Sequence, residues 1–174
     1  MIGLILATLD FAATQFVMYS PWAKYGPVDA DHAVTKGGGY NHWYVYDLQH
    51  EFLEVKDGSE QWIAFYTFLI LAFATSILGF VAKLVITFGS EQDQKSASMA
   101  ATLMYSVQAI SLVISGALFH DAMGEWHDSK PELADDTAGN KHWHTFVAPA
   151  VLWIVFAHAL ALSLMGGYKL MNNN

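Results

Sequence analysis

Residues 62–88 read WIAFYTFLILAFATSILGFVAKLVITF, an apolar run interrupted by one charge, Lys83. As a helix rising about 1.5 Å per residue it is roughly 40 Å long, more than the ~30 Å hydrocarbon layer of a bilayer. Lipid offers the backbone no hydrogen bonds, so a run of this kind is read as a membrane-crossing helix. Working outward, three further apolar stretches occupy residues 2–20, 99–120 and 143–168. Each meets the requirement of about 20 residues per crossing. The first has no basic residue before it and ends at a Tyr19, Ser20, Pro21 boundary that is a poor small-residue cleavage site, which suits a retained helix rather than a cleaved signal peptide. The expected fold is therefore an all-α membrane protein, a four-helix transmembrane bundle forming one domain over residues 1–174. Its outer loops are 21–61 and 121–142, and a polar turn at 89–98 joins the middle spans.

Composition fits this reading and narrows the chemistry. The chain is 54% hydrophobic and has no cysteine, which removes disulfides, thiolate metal sites and thiol catalysis. Sixteen acids face eight lysines and no arginine, for a formal charge of −8. That balance argues against nucleic acid as a partner and against a polybasic membrane-surface patch. Lys83, Lys95 and Lys169 crowd the short turn and the helix ends opposite the long loops. Counted by density, the positive-inside rule places both termini on the inner side. Tyr19, Trp22, Trp62 and Trp143 are then expected as an aromatic belt at the outer headgroups. Within the first loop, residues 41–55 are rich in Tyr, Trp, Val and Phe and follow the breaker Gly37-Gly38-Gly39, so they are expected to pair as a small extracellular β-sheet.

Small and polar residues recur along three spans: Gly3, Ala7, Asp10 and Thr14; Ala72, Ser76, Gly79 and Lys83; Ala101, Gln108, Ser111 and Ser115. Such stripes let membrane helices approach closely and let polar side chains find partners, so they are expected to face other helices. They also promise more close-packing surface than four helices need among themselves. Asp10, Gln108 and His158 fall at a common depth near the middle of the membrane, where the second span adds no comparably polar group. An acid there costs at least ~2.5–3.5 kcal/mol, so Asp10 must be protonated or partnered. Two readings follow, a proton or ion relay and a bundle-stabilising contact, and the second is the simpler.

Seven of the eight histidines lie in the outer loops or at the outer helix ends. His120, His127, His142 and His144 are the candidate ligands for copper, zinc or haem, since imidazole serves all three. The spacing matches no established metal motif, and Trp126-His127 and His142-Trp143-His144 also serve as interfacial anchors. No nucleotide loop, serine nucleophile or paired-carboxylate set is present.

The layout of a first span at the start, a long aromatic outer loop, a tight inner turn and a shorter second loop resembles the claudin-like tetraspans, which include the peripheral myelin protein group and the amastins. Trp22 and Trp43, separated by twenty residues, match the spacing of that family's loop tryptophans. Tyr46 stands where its first loop cysteine would be. The resemblance implies a non-enzymatic protein that assembles sideways with other membrane proteins, its outer loops meeting neighbours. Trp22, Tyr40, Trp43, Tyr44 and Tyr46 are the aromatic residues expected to make partner contacts. Two alternatives come from other classes: an accessory subunit of a large energy-transducing membrane complex, and a redox subunit using the outer histidines. In its Trp-His pairs the second is loosely similar to membrane copper monooxygenase C-type subunits.

Overall fold

The computed structural model describes residues 2–20, 22–27, 41–43, 59–129, 141–145 and 147–172. Among the described residues four helices are long and apolar enough to cross a membrane. These are α1 (Ile2–Tyr19), α2 (Ser59–Phe88), α3 (Glu91–Ser129) and α4 (Val147–Asn172). The chain is a four-span, all-α bundle of the multi-pass membrane type.

The helix ends differ from the expected spans for local reasons. The turn expected over 89–98 shrinks to Gly89 and Ser90. The Gly89 N–H donates to Val85 O at 2.7 Å and closes α2, while Ser90 caps α3. The Asp93 N–H donates to Ser90 Oγ (3.4 Å) and the Ser90 hydroxyl donates to Asp93 Oδ2 (2.5 Å), so the N-cap side chain is tied to both the backbone and the side chain of Asp93. Polar residues 91–98 and 121–129 are therefore helical. Their polarity marks where hydrocarbon ends, not where hydrogen bonding along the helix ends. α4 starts at Val147 rather than at residue 143, and Pro149 sits in its first turn, where a missing N–H costs nothing. α1 stops at Tyr19, ahead of Pro21.

The connections include three short strands, β1 (Ala23–Pro27), β2 (Asn41–Trp43) and β3 (Lys141–Thr145). β1 lies between the other two and pairs antiparallel with both, Ala23 opposite Trp43 on one side and Thr145 on the other. Of the stretch 41–55 expected to be extended, residues 44–55 lie outside the described residues.

The interior divides in two. At the loop end Val17, Trp22, Trp62, Phe65, Phe119 and Leu152 form one cluster. At the end carrying the chain's first and last helical turns, Ala7, Ala82, Ala101, Tyr105 and Leu162 form a second, of mostly smaller side chains. Trp22 and Trp62 are fully buried, which corrects the expected aromatic belt and, for Trp22, the expected partner contact. The Trp22 ring meets Phe65 and Phe119 edge-on at 5.1 and 4.9 Å, and its Nε1–H donates to Val17 O at 2.9 Å. A ring satisfied on all sides by its own chain has nothing left to offer a neighbour. Tyr19 is exposed, as a headgroup-level residue should be. Tyr40, Tyr44 and Tyr46, and the side chains of Trp43 and Trp143, lie outside the described residues.

The small-residue stripes turn inward. Ala7, Asp10, Thr14, Ala72, Ser76, Ala101, Gln108, Ser111 and Ser115 are all buried within this one chain. They hold its own helices together. The opposite faces, with Ile5, Leu9, Leu78, Leu103, Ile110 and Ile154 exposed, are those that meet lipid.

Candidate intramembrane polar centre

Asp10 sits on the α1 stripe Ala7, Asp10, Thr14, Val17, whose steps of three and four residues put all four on one buried face. Its Oδ2 accepts from Gln108 Nε2 of α3 at 3.0 Å and from Ser76 Oγ of α2 at 3.3 Å. The Thr14 hydroxyl donates back to the Asp10 carbonyl at 2.8 Å, leaving its oxygen to accept the other Gln108 N–H at 3.1 Å. Gln108 thus bridges two successive turns of α1 with one amide nitrogen. The carboxylate is met by an amide and a hydroxyl rather than by a cation. His158 is half-buried on α4.

The site joins Asp10 of α1 to Gln108 of α3, and Ser76 corrects the expectation that α2 adds no polar group at this depth. Ser76 is visible in the sequence as a member of the α2 stripe. Only the packing of α2 against α1 shows it to be a hydrogen-bond donor.

Tyr105 was not among the residues singled out by sequence. It precedes Gln108 by three residues, so it shares the buried face of α3, and it is 1% exposed. Its ring lies against Gly79, where a Cβ would stand 3.0 Å from the ring carbon bearing the hydroxyl. Gly79 gives the ring its place. Lys83 Nζ lies 6.0 Å from the Tyr105 ring centroid. Three buried oxygens here have no hydrogen-bond partner: Asp10 Oδ1, Gln108 Oε1 and the Tyr105 hydroxyl.

The candidate metal ligands are less gathered. His120 is exposed on α3. The strand register sets His42 and His144 in one row on either side of Lys24. The side chains of His127, His142 and His144 lie outside the described residues. Among the described residues no group of three His, Asp or Glu side chains is placed to hold a metal ion. Comparison with protein-family models and with curated proteins finds no match for this sequence.

Proposed function

We propose that this chain is a self-contained four-span unit that assembles laterally with other membrane proteins, the polar centre being the clasp that holds its own helices in register. This is the role the claudin-like resemblance implies, with the termini on the inner side of the membrane and the strands as a small sheet on the outer side. The observation that carries the reading is a groove of about 300 Å³ at lipid level between α3 and α4, lined by Ser106, Ala109, Ile110, Val113, Phe156 and Ser163 among others. Ser106 and Ser163 hydrogen-bond each other at 2.6 Å, so the groove spends its polar groups internally. Ser106, Ala109 and Ser163 form a small-residue strip between larger apolar walls, a hollow that a side chain or helix ridge of a third membrane helix can fill, since packing rather than hydrophobicity drives association in lipid. Gly3 and Gly167 support the same reading, because a Cβ at either would meet nothing within 4 Å in the chain itself.

The test uses the absence of native cysteine. Ile110→Cys places one thiol at the groove on a residue 61% exposed. Oxidative cross-linking in native membranes, followed by mass spectrometry, should give a discrete adduct. A second copy of the chain marks a self-array, and a different protein marks an accessory subunit of a larger complex. A clean monomer, in membranes and in native mass spectrometry from mild detergent, overturns the proposal. Metal analysis and visible absorbance of the same preparation would reveal copper, zinc or haem if the outer histidines bind them.

A further inference from the structure

We propose that a notch where the ends of α2 and α4 meet the start of α3 seats the phosphate of an anionic phospholipid headgroup, held between Lys95 and Lys169.

The fold gathers these cations from separate helix ends rather than from a basic run in the sequence. Lys95 lies near the start of α3 and Lys169 in the last turn of α4. Both line a notch of about 230 Å³, whose apolar wall is Ile86 of α2 and Leu170 of α4. Ile86 also packs against the buried cluster of Ala82, Ala101, Tyr105 and Leu162. The notch therefore ends on packed side chains and is a seat, not a passage.

The chain carries a formal charge of −8, yet two lysines against one acid, Glu91, line this notch. Among the described residues neither lysine is in an ion pair, although Glu91 stands four residues before Lys95, the spacing at which a helical pair forms. Like charges brought to one hollow repel each other, and low-dielectric walls focus their field on whatever occupies it. An anion between them removes the repulsion. The Ser98 hydroxyl has no protein partner among the described residues and can donate to that anion. Gln94 gives one side-chain N–H to Gly89 O at 3.1 Å and keeps the second. Ammonium, hydroxyl and amide donors around one net positive charge suit the phosphodiester of a singly charged lipid.

Depth selects lipid as the source of the phosphate. Tyr168, beside Lys169, is exposed, and from it back to Ala148 the helix runs about 30 Å, the thickness of the hydrocarbon layer. An exposed tyrosine at that distance marks the headgroup level, where lipid phosphates surround the bundle. Basic pockets between membrane helices bind anionic headgroups in this way. Two lysines converging on one hollow hold a single headgroup, a different device from the polybasic surface patch that the composition argues against.

The experiment is native mass spectrometry of the full chain in mild detergent, titrated with phosphatidylglycerol or with phosphatidylcholine of the same acyl chains. Wild type should retain phosphatidylglycerol several-fold better. Lys95→Gln combined with Lys169→Gln should reduce that retention to the phosphatidylcholine level, and Glu91→Gln should raise it. Lys24→Gln combined with Lys141→Gln, on the strands at the other end, makes the same change in net charge and should leave retention as it is. Both notch lysines are exposed, so their replacement should not disturb folding. Equal retention of the two lipids, or an equal loss from either lysine pair, overturns the seat. Inorganic phosphate should displace the lipid only in large excess. Displacement at equal concentration would assign the notch to a free anion and overturn the lipid.

Discussion

Replacing Asp10 by alanine and by asparagine separates loss of an acceptor from loss of a charge. Asp10→Ala removes two hydrogen bonds between helices, the 3.0 Å bond from Gln108 and the 3.3 Å bond from Ser76. Interhelical hydrogen bonds in membranes average about 0.6 kcal/mol each, so their direct loss is near 1.2 kcal/mol. The alanine also leaves one Gln108 N–H and the Ser76 hydroxyl facing a dry interior, at about 1–3 kcal/mol for each group that cannot turn to another partner. A total of about 2–5 kcal/mol is expected. Asp10→Asn keeps a carbonyl oxygen where Oδ2 stands and puts an amide nitrogen in place of the unpartnered Oδ1. Its cost should stay within about 1 kcal/mol. The assay is reversible unfolding in mixed micelles of increasing SDS fraction, followed by tryptophan fluorescence and circular dichroism. A double-mutant cycle of Asp10→Ala with Gln108→Leu should return a coupling of about 0.6 kcal/mol and no more than ~1.7. Asp10→Ala unfolding with wild type, or a cycle with zero coupling, would refute the clasp.

Other outcomes follow from the same packing. At Gly166 a Cβ would fall against the Thr102 side chain, whereas at Gly167 it would meet nothing within 4 Å. Gly166→Val should therefore cost about 1–3 kcal/mol by overpacking, and Gly167→Ala should leave the SDS midpoint unchanged or raise it. Trp22→Ala should cost about 3–5 kcal/mol in the same assay, while Trp22→Phe, which keeps a ring between Phe65 and Phe119, should cost less. His120→Ala should leave the midpoint where it is, since the side chain is exposed.

The four spans were legible because hydrocarbon imposes its length on any helix that crosses it, whatever the partner. The inward stripe of α1 was legible for a related reason: only one face of Ile2–Tyr19 carries a group as costly in lipid as Asp10. What the sequence hid depends on pairing. Ser76 and Gln108 are separated from Asp10 by 66 and 98 positions, and no local pattern says which of several polar residues will meet it. Tyr105 was hidden by its size, because a stripe sought among small residues passes over an aromatic that a glycine on the next helix accommodates. Trp22 was misjudged because a tryptophan near a span boundary suits a headgroup layer and an aromatic core equally well. The end of α3 was misjudged because 121–129 is polar, and polarity stops a membrane crossing without stopping a helix.

The distance along the chain between Asp10 and its partners also sets a schedule. Synthesis delivers the acid first, and 98 further positions separate it from Gln108. At about 5–20 residues per second that interval is roughly 5–20 s. Ser76 arrives after 66 of those positions, and until then the nascent first helix carries an acid with neither interhelical partner made. A chain halted before residue 76 therefore holds this acid in its first span with neither interhelical partner made, at a cost in lipid of at least ~2.5 kcal/mol.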